Sequence, residues 1–257
     1  MTDIADDGVR ADRTQGVQVL ARAAEILRLL KVNRAGLTQA EIAVKLGLAK
    51  TTVHRLLNAL ATENLVQAIA ASNRYRLGSE ILHMAEAARS AVMAEIHPRL
   101  IRLSQEIDET VDLSVLDRGQ MTFIDQVVAP QRLRAVSVVG ASFPLHCTAN
   151  GKAVLAGLSV AEVKSLLAEK LETLTPNTIT SRDKLLRELM KVGPKGAAFD
   201  REEHSLGICA IGMGLIGTPL GPSAISVPIP AQRFEAKSAS IVKALSRAVR
   251  DIQGMTA

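Results

Sequence analysis

The 257-residue chain carries 31 Lys and Arg against 26 Asp and Glu, is 47% hydrophobic, and holds two cysteines, one tyrosine and no tryptophan. That length suffices for two domains with separate cores, and no apolar run is long enough to span a membrane. The cysteines form no C-x-x-C pair and the histidines show no metal-ligand spacing, so no metal or other cofactor is expected, and the scarcity of aromatic side chains excludes a stacking platform for single-stranded nucleic acid.

Charge is distributed unevenly. Residues 14–90 hold ten Lys and Arg against five Asp and Glu, and residues 91–257 hold nineteen against seventeen. The basic excess lies in the first third, where contact with a polyanion is expected. The first fourteen residues are acidic and polar with no signal-peptide core, and read as a disordered lead-in to a soluble, cytoplasmic chain. A helix follows from Val17 to Leu30, with Val17, Leu20, Ala24, Leu27 and Leu30 on one face.

Residues 38–60, TQAEIAVKLGLAKTTVHRLLNAL, carry the strongest local signal. Thr38 and Glu41 make the T-x-x-E capping box of a helix start. Ile42, Ala43 and Leu46 give that helix an apolar face, and Gly47 supplies a positive φ where the chain must leave it. Val53, Leu56, Leu57 and Leu60 then repeat at helical spacing, while Lys50, Thr51, Thr52, His54 and Arg55 lie near the start of the second helix. The pair reads as a helix-turn-helix that sets its second helix in a DNA major groove, with Thr38 and Gln39 at the edge of the contact. The plain alternative is a helical hairpin with surface cations.

The next stretch, LVQAIAASNRYRLG (65–78), has apolar and β-branched residues on either side of Ala-Ser-Asn and reads as a β-hairpin. Arg74 and Arg76 alternate on one strand face and suit phosphate or minor-groove contact; a charged strand edge is the alternative. Residues 15–78 are therefore expected to form a winged helix-turn-helix. Residues 79–92 read as a linker helix whose Ile81, Leu82, Met84, Ala85 and Ala88 pack on a dimer partner or on their own domain. A separate helix at about 93–108, with Pro98 in its first turn, opens a domain ending near 254.

From 111 the pattern changes. VDLSVLD and MTFIDQVV form a hairpin about Arg118-Gly119-Gln120. Helices follow at 147–156, 160–171 and 181–191, then strands at 196–200, 208–216 and 223–229, and a closing helix at 233–252. The fold class is α+β in two domains.

These segments in this order resemble the IclR family of bacterial transcriptional regulators. The likeness runs from about residue 17 to 250 and is carried by GVQVLARAAEILRLL, GLTQAEIAVKLGLAKTTVHRLLNALATENLV, NRYRLG, PLHCTANGKAVLA, FDREEHSLG and AISVPIPAQRF. It implies a C-terminal GAF-like effector domain, dimers or tetramers on palindromic operator DNA, and control of genes for catabolism of small organic or aromatic acids, as repressor or activator. It places His146, Thr148, Ala149, Asn150, Asp200, Cys209, Ala210 and Ser226 at the effector pocket. Two departures bear on the ligand. Ala210 stands where several members have a pocket cysteine, with Cys209 one residue earlier on the strand, and Pro228 replaces the second serine of an S-x-S run. Both remove polar groups and point to a larger or more apolar acid, such as an aromatic one. Each pocket residue also has a plain reading: a helix cap at His146, a solvated turn at Asp200, a strand hydroxyl at Ser226, and inert buried thiols.

Catalysis is not expected. His146 with Cys147, or His204 with Cys209, would need a third group to orient the base, and the sequence offers none. Asn150-Gly151-Lys152-Ala153 lacks both the first glycine and the final Ser or Thr of a phosphate loop.

Overall fold

The structure, a computed structural model, describes residues 7–255. Helix α1 spans Asp7–Val32. Residues 1–6 of the expected lead-in lie outside those described, but 7–14, expected as disordered, are helical: no proline interrupts the stretch, so the backbone continues upstream of Val17. Of the stripe expected on α1, Leu30 is buried and Ala24 and Leu27 are half-buried, but Leu20 departs from it. Ile26 and Leu30 are buried, with Ala23, Leu27 and Leu29 partly so, whereas Leu20 is 72% exposed. Among the residues whose packing is described, the core contacts begin at Ala23. Val17 lies outside the residues whose packing is described.

A two-residue strand that the sequence did not announce, β1 (Leu37–Thr38), precedes α2 (Gln39–Leu46) and α3 (Lys50–Thr62). The capping box forms: the Thr38 hydroxyl accepts from the Glu41 amide at 3.3 Å, and the Thr38 amide donates to Glu41 Oε2 at 2.7 Å. Gly47 has φ 64°, and the Leu48 amide reaches back to the Ala43 carbonyl at 3.0 Å, closing α2 with a left-handed cap. Strands β2 (Val66–Ile69) and β3 (Arg74–Leu77) form the hairpin, and β1 adds to its outer edge, giving the order β1-β3-β2. Ile26, Leu30, Ile42, Val53, Leu57 and Val66 make the core.

Helix α4 runs unbroken from Glu80 to Ile107, where two helices were expected. Pro98 is interior, and its missing N–H costs the Ala94 carbonyl a partner, at about 3 kcal/mol or more. Ile96, Leu100, Leu103 and Ile107 are buried on the same helix, and at about 1.5–3 kcal/mol each their burial outweighs that cost. The chain divides into two compact units after Ala88, inside this helix.

The second unit contains a hairpin of β4 (Val111–Asp117) and β5 (Gln120–Val127), turned through Arg118 and Gly119, both at positive φ. A short β6 (Ser142–Pro144) follows, then α5 (Ala149–Leu155), α6 (Val160–Leu166), α7 (Arg182–Val192), β7 (Ala198–Arg201), β8 (Ile208–Leu215), β9 (Ser223–Pro230) and α8 (Ala231–Met255). Helix α6 stops five residues before the expected 171. Beyond it, Lys170 bridges to Ser181 as extended chain.

The six strands pair antiparallel in the order β6-β5-β4-β9-β8-β7. Strand alternation separates the two faces of the sheet. Val111, Leu113, Cys209, Ile211, Met213, Ile225, Val227 and Ile229 pack with apolar residues of α4 and α8. Asp112, Ser114, Ala210, Gly212 and Ser226 occupy the other face, partly under α5. Helix α5 sits close: a Cβ on Gly212 would come within 2.6 Å of the Ala149 backbone, and one on Gly151 within 2.4 Å of the Leu145 carbonyl oxygen. At Gly214 the nearest atom is 3.2 Å away.

The spacing yields a graded expectation. Gly212→Ala should cost about 1–3 kcal/mol because the backbone of α5 must shift, and Gly214→Ala should cost less. Urea unfolding of both variants checks this; equal midpoints would contradict the tight seating of α5.

Candidate functional site

Two regions carry functional chemistry. In the first, α3 begins at Lys50 without a side-chain cap on Ala49 and has no acidic residue in its first turn. Its leading amides have no intrahelical partner, and the helix dipole adds positive potential there. Lys50, Thr51, His54 and Arg55 are exposed and Thr52 is half-buried. Lys50 and Arg55 form no ion pair with any described residue, while His54 is hydrogen-bonded to Asn58 at 3.1 Å.

Other members of the expected DNA-facing set are engaged internally. Thr38 is committed to the capping box, and Gln39 Nε2 donates to the Lys50 carbonyl at 2.9 Å, tying the start of α2 to the start of α3. Arg74 donates to the Gly36 carbonyl at 2.7 Å and pairs with Glu41 at 3.4 Å. Arg76 is exposed and leans on Gln67 through two hydrogen bonds. The structure thus puts Lys50, Thr51, His54, Arg55 and Arg76 on the outside, and makes Thr38, Gln39 and Arg74 parts of the scaffold.

The second region is a cavity of about 280 Å³ in the C-terminal unit. Thr148, Ala149, Asn150, Asp200, Ala210 and Ser226 all line it, as expected. Two expected members do not. Cys209 faces the opposite side of β8, buried against the α8 side of the sheet, because adjacent strand residues point to opposite faces. His146 is drawn away by a hydrogen bond between its Nε2 and the Glu172 carbonyl at 2.9 Å.

The sequence reading missed Asp112, Phe123, Phe143, His204, Ser205, Ile208 and the 134–137 segment, which complete the lining together with Pro228, the departure from the S-x-S run. Asp112 and Ser114 alternate with Val111 and Leu113, a pattern that ordinarily marks a solvated face. Here that face is covered, and Asn150 of α5 donates to the Ser114 hydroxyl at 2.9 Å. The polar alternation was the available signal, and only its burial gave it meaning.

Burial sets the electrostatics. Asp112 accepts from Gln126 Nε2 at 2.7 Å and from the Ser137 hydroxyl at 2.8 Å. Desolvation still outweighs these bonds and raises its pKa to about 6. Asp200 Oδ1 accepts from the amides of Glu203 (2.7 Å) and His204 (3.4 Å), yet burial, with the Glu203 charge adding to it, raises its pKa to about 7. Burial also lowers the pKa of His204.

Beside the cavity, the ammonium of Lys152 is fully buried and donates to Glu203 Oε1 at 2.6 Å and Glu188 Oε1 at 2.7 Å, joining α5 to the 200–204 turn and to α7. Burial pushes the Cys147 thiol up to about 12 and raises Cys209 as well, so neither is an activated nucleophile. No group of three or more His, Cys, Asp or Glu suited to a metal occurs among the described residues. No described helix is long and apolar enough to cross a membrane.

Comparison with known proteins bears on both regions. A family model described as the bacterial transcriptional regulator IclR C-terminal domain matches residues 84–254, and one described as the IclR helix-turn-helix domain matches residues 19–69. The chain is 52% identical to the HTH-type transcriptional regulator Rv1719 of Mycobacterium tuberculosis, across 91% of this chain and 90% of that protein. It is 35% identical to the HTH-type transcriptional regulator TtgV of Pseudomonas putida, across 93% and 91%. Among solved structures, the Thermotoga maritima IclR aligns with a TM-score of 0.61 at 28% identity, covering 93% of this chain and 99% of that one. These relatives are named as regulators and not as enzymes.

Asp200 gives the site a pH signature. Its ordinary pKa of 3.8 rises to about 7 on folding, so the folded chain holds this proton more tightly than the unfolded one. Its contribution is therefore most favourable below about pH 4 and falls as pH rises to 7, with Asp112 acting the same way up to about 6. Asp200→Asn should gain stability relative to the unaltered chain across that window and hold a constant difference above about pH 8. Melting temperatures measured from pH 4 to 9 test this; parallel profiles would contradict it.

Proposed function

Because the chain belongs to the IclR family of bacterial transcriptional regulators, we propose that it binds a near-palindromic operator as a dimer or tetramer and answers to a small organic molecule held in the C-terminal cavity. The chain is a transcriptional regulator and not an enzyme. In this reading each α3 enters a major groove, and the helices of a dimer fall in successive grooves roughly 34 Å apart.

The observation that carries the proposal is the unpaired, uncapped start of α3. Lys50 and Arg55 are free to meet phosphates or base edges, and the leading amides suit a phosphate oxygen. Arg76 supports the wing, while Arg74 braces it through Gly36 and Glu41. Leu82 and Met84 of α4 are 71% and 53% exposed, and each would gain from burial against a second copy, which supports the dimer.

Ligand in the cavity changes operator occupancy only through a difference in affinity for two states of the protein. The lining suits a small organic molecule with an aromatic or apolar body and a polar group. Genes for catabolism of such a compound are the expected targets.

Lys50→Ala and Arg55→Ala should each weaken operator binding by about 1–3 kcal/mol where the side chain meets a base. Arg76→Ala should weaken all DNA sequences alike and reduce the salt dependence. Arg74→Ala should lower the melting temperature more than the DNA affinity. Fluorescence anisotropy on DNA from upstream of the gene reads the affinities. Unchanged affinity in both Lys50→Ala and Arg55→Ala would overturn the assignment of α3.

A further inference from the structure

The cavity has rings in its walls and acceptors beside them. Phe143 meets Phe123 edge-on, with centroids 5.0 Å apart, and stacks on the His204 ring at 4.3 Å and 23°. Asp200 is 5% exposed. Its Oδ1 accepts two backbone hydrogen bonds, while Oδ2 accepts none from any described residue. The hydroxyl of Ser226, a residue 4% exposed on β9, with β8 between it and the strand of Asp200, has no hydrogen-bond partner among the described residues either. Both residues line the cavity, so these two oxygens are the acceptor and hydroxyl left open to a guest.

Charge narrows the guest further. Asp112 also lines the cavity, 1% exposed, with both oxygens already engaged. The cation among the described lining residues, Arg134, is exposed and donates to the Gln131 carbonyl. Lys152 does not line the cavity and is held by Glu188 and Glu203. With Asp200 and Asp112 ionised, a carboxylate guest would be desolvated beside two like charges, and the buried ammonium of Lys152 is already shared by Glu188 and Glu203. A hydroxyl group has the opposite character. It donates to Asp200 Oδ2, its ring has the two phenylalanines and His204 to pack against, and Ser226 stands open to a second polar group of the guest.

We propose that the cavity takes a neutral aromatic bearing a hydroxyl group, which donates to Asp200 Oδ2, and that it rejects the matching aromatic carboxylate. This rests on the ligand-response reading above and replaces the acid class implied by the family resemblance. Ser226 is the second polar partner, and Asp200 the residue that sets specificity.

The test is isothermal titration of the full chain with 4-methylphenol, 4-methylanisole and 4-methylbenzoate at about pH 8.5, above the raised pKa of Asp200, where its carboxyl is ionised. The phenol should bind at least about tenfold tighter than either of the others, because the ether cannot donate and the benzoate meets two acids. Asp200→Asn keeps an oxygen for the Glu203 and His204 amides and puts an NH2 where Oδ2 was. It should weaken the phenol about tenfold and bring the ether level with it or above. A benzoate preference, equal binding of phenol and ether, or no binding of the phenol to the unaltered chain overturns the proposal. So does a folded Asp200→Asn variant with an unchanged ranking. The ranking on the unaltered chain decides the matter whether or not the variant folds. A DNA-binding assay on the same protein separates the two layers. Loss of all operator binding would count against the regulator reading itself, whereas intact operator binding with a benzoate preference counts only against the ligand class.

Discussion

The C-terminal unit depends on how closely α5 lies on the sheet. Gly212 offers no side chain under Ala149, and Gly151 offers none against Leu145, so backbone meets backbone at both points. That approach covers one face of β4, β8 and β9, and the polar residues of those strands become buried. Ser114 then needs Asn150, and Asp112 needs Gln126 and Ser137. A cavity remains beside α5, lined by groups whose hydrogen bonding is only partly met. The buried Lys152 holds the same helix by two carboxylates. Removing one partner of such a buried pair typically costs about 3–5 kcal/mol, so α5 is fixed in place electrostatically as well as by fit.

The N-terminal unit follows a different economy. Its core is a small set of aliphatic side chains, and local hydrogen bonds aim its helices. Glu41 serves two purposes: it closes the capping box with Thr38, and its other oxygen pairs with Arg74 on the wing. Gln39 links the first turn of α2 to the first residue of α3. These bonds consume side chains that looked free in the sequence and leave the outer surface of α3 to Lys50, Thr51, His54 and Arg55. The scaffold is pre-set before DNA arrives, which limits the ordering cost of binding.

Local signals were legible in the sequence, and phase and coverage were not. The Thr38–Glu41 box, the Gly47 cap, the hairpin turn at Arg118-Gly119 and the strands β7 to β9 follow from residues within a few positions of one another. The fold class followed from their order. Pro98 was misread as a helix start because the burial that carries α4 through it comes from a sheet formed later in the chain. On α1 the periodicity placed Leu27 and Leu30 on the covered face but could not show that Leu20, on the same face, is exposed. Six of the eight expected pocket residues line one cavity. Cys209 and His146 fall outside it for reasons of strand phase and a single hydrogen bond to Glu172. Asp112 and His204 were invisible because a polar strand residue or a turn histidine has no sequence mark of burial.

The account makes the cavity the control element and α3 the DNA-reading element, in separate units of one chain. Operator affinity measured with and without 4-methylphenol, in the unaltered chain and in Ala210→Phe, tests that division most directly. Ala210 lines the cavity, opposite Asp200 in the strand register, and belongs to the C-terminal unit, not to the one that holds the helix-turn-helix. The account predicts that Ala210→Phe fills the cavity, keeps operator binding and no longer responds to the phenol. A full response to the phenol in Ala210→Phe would contradict it.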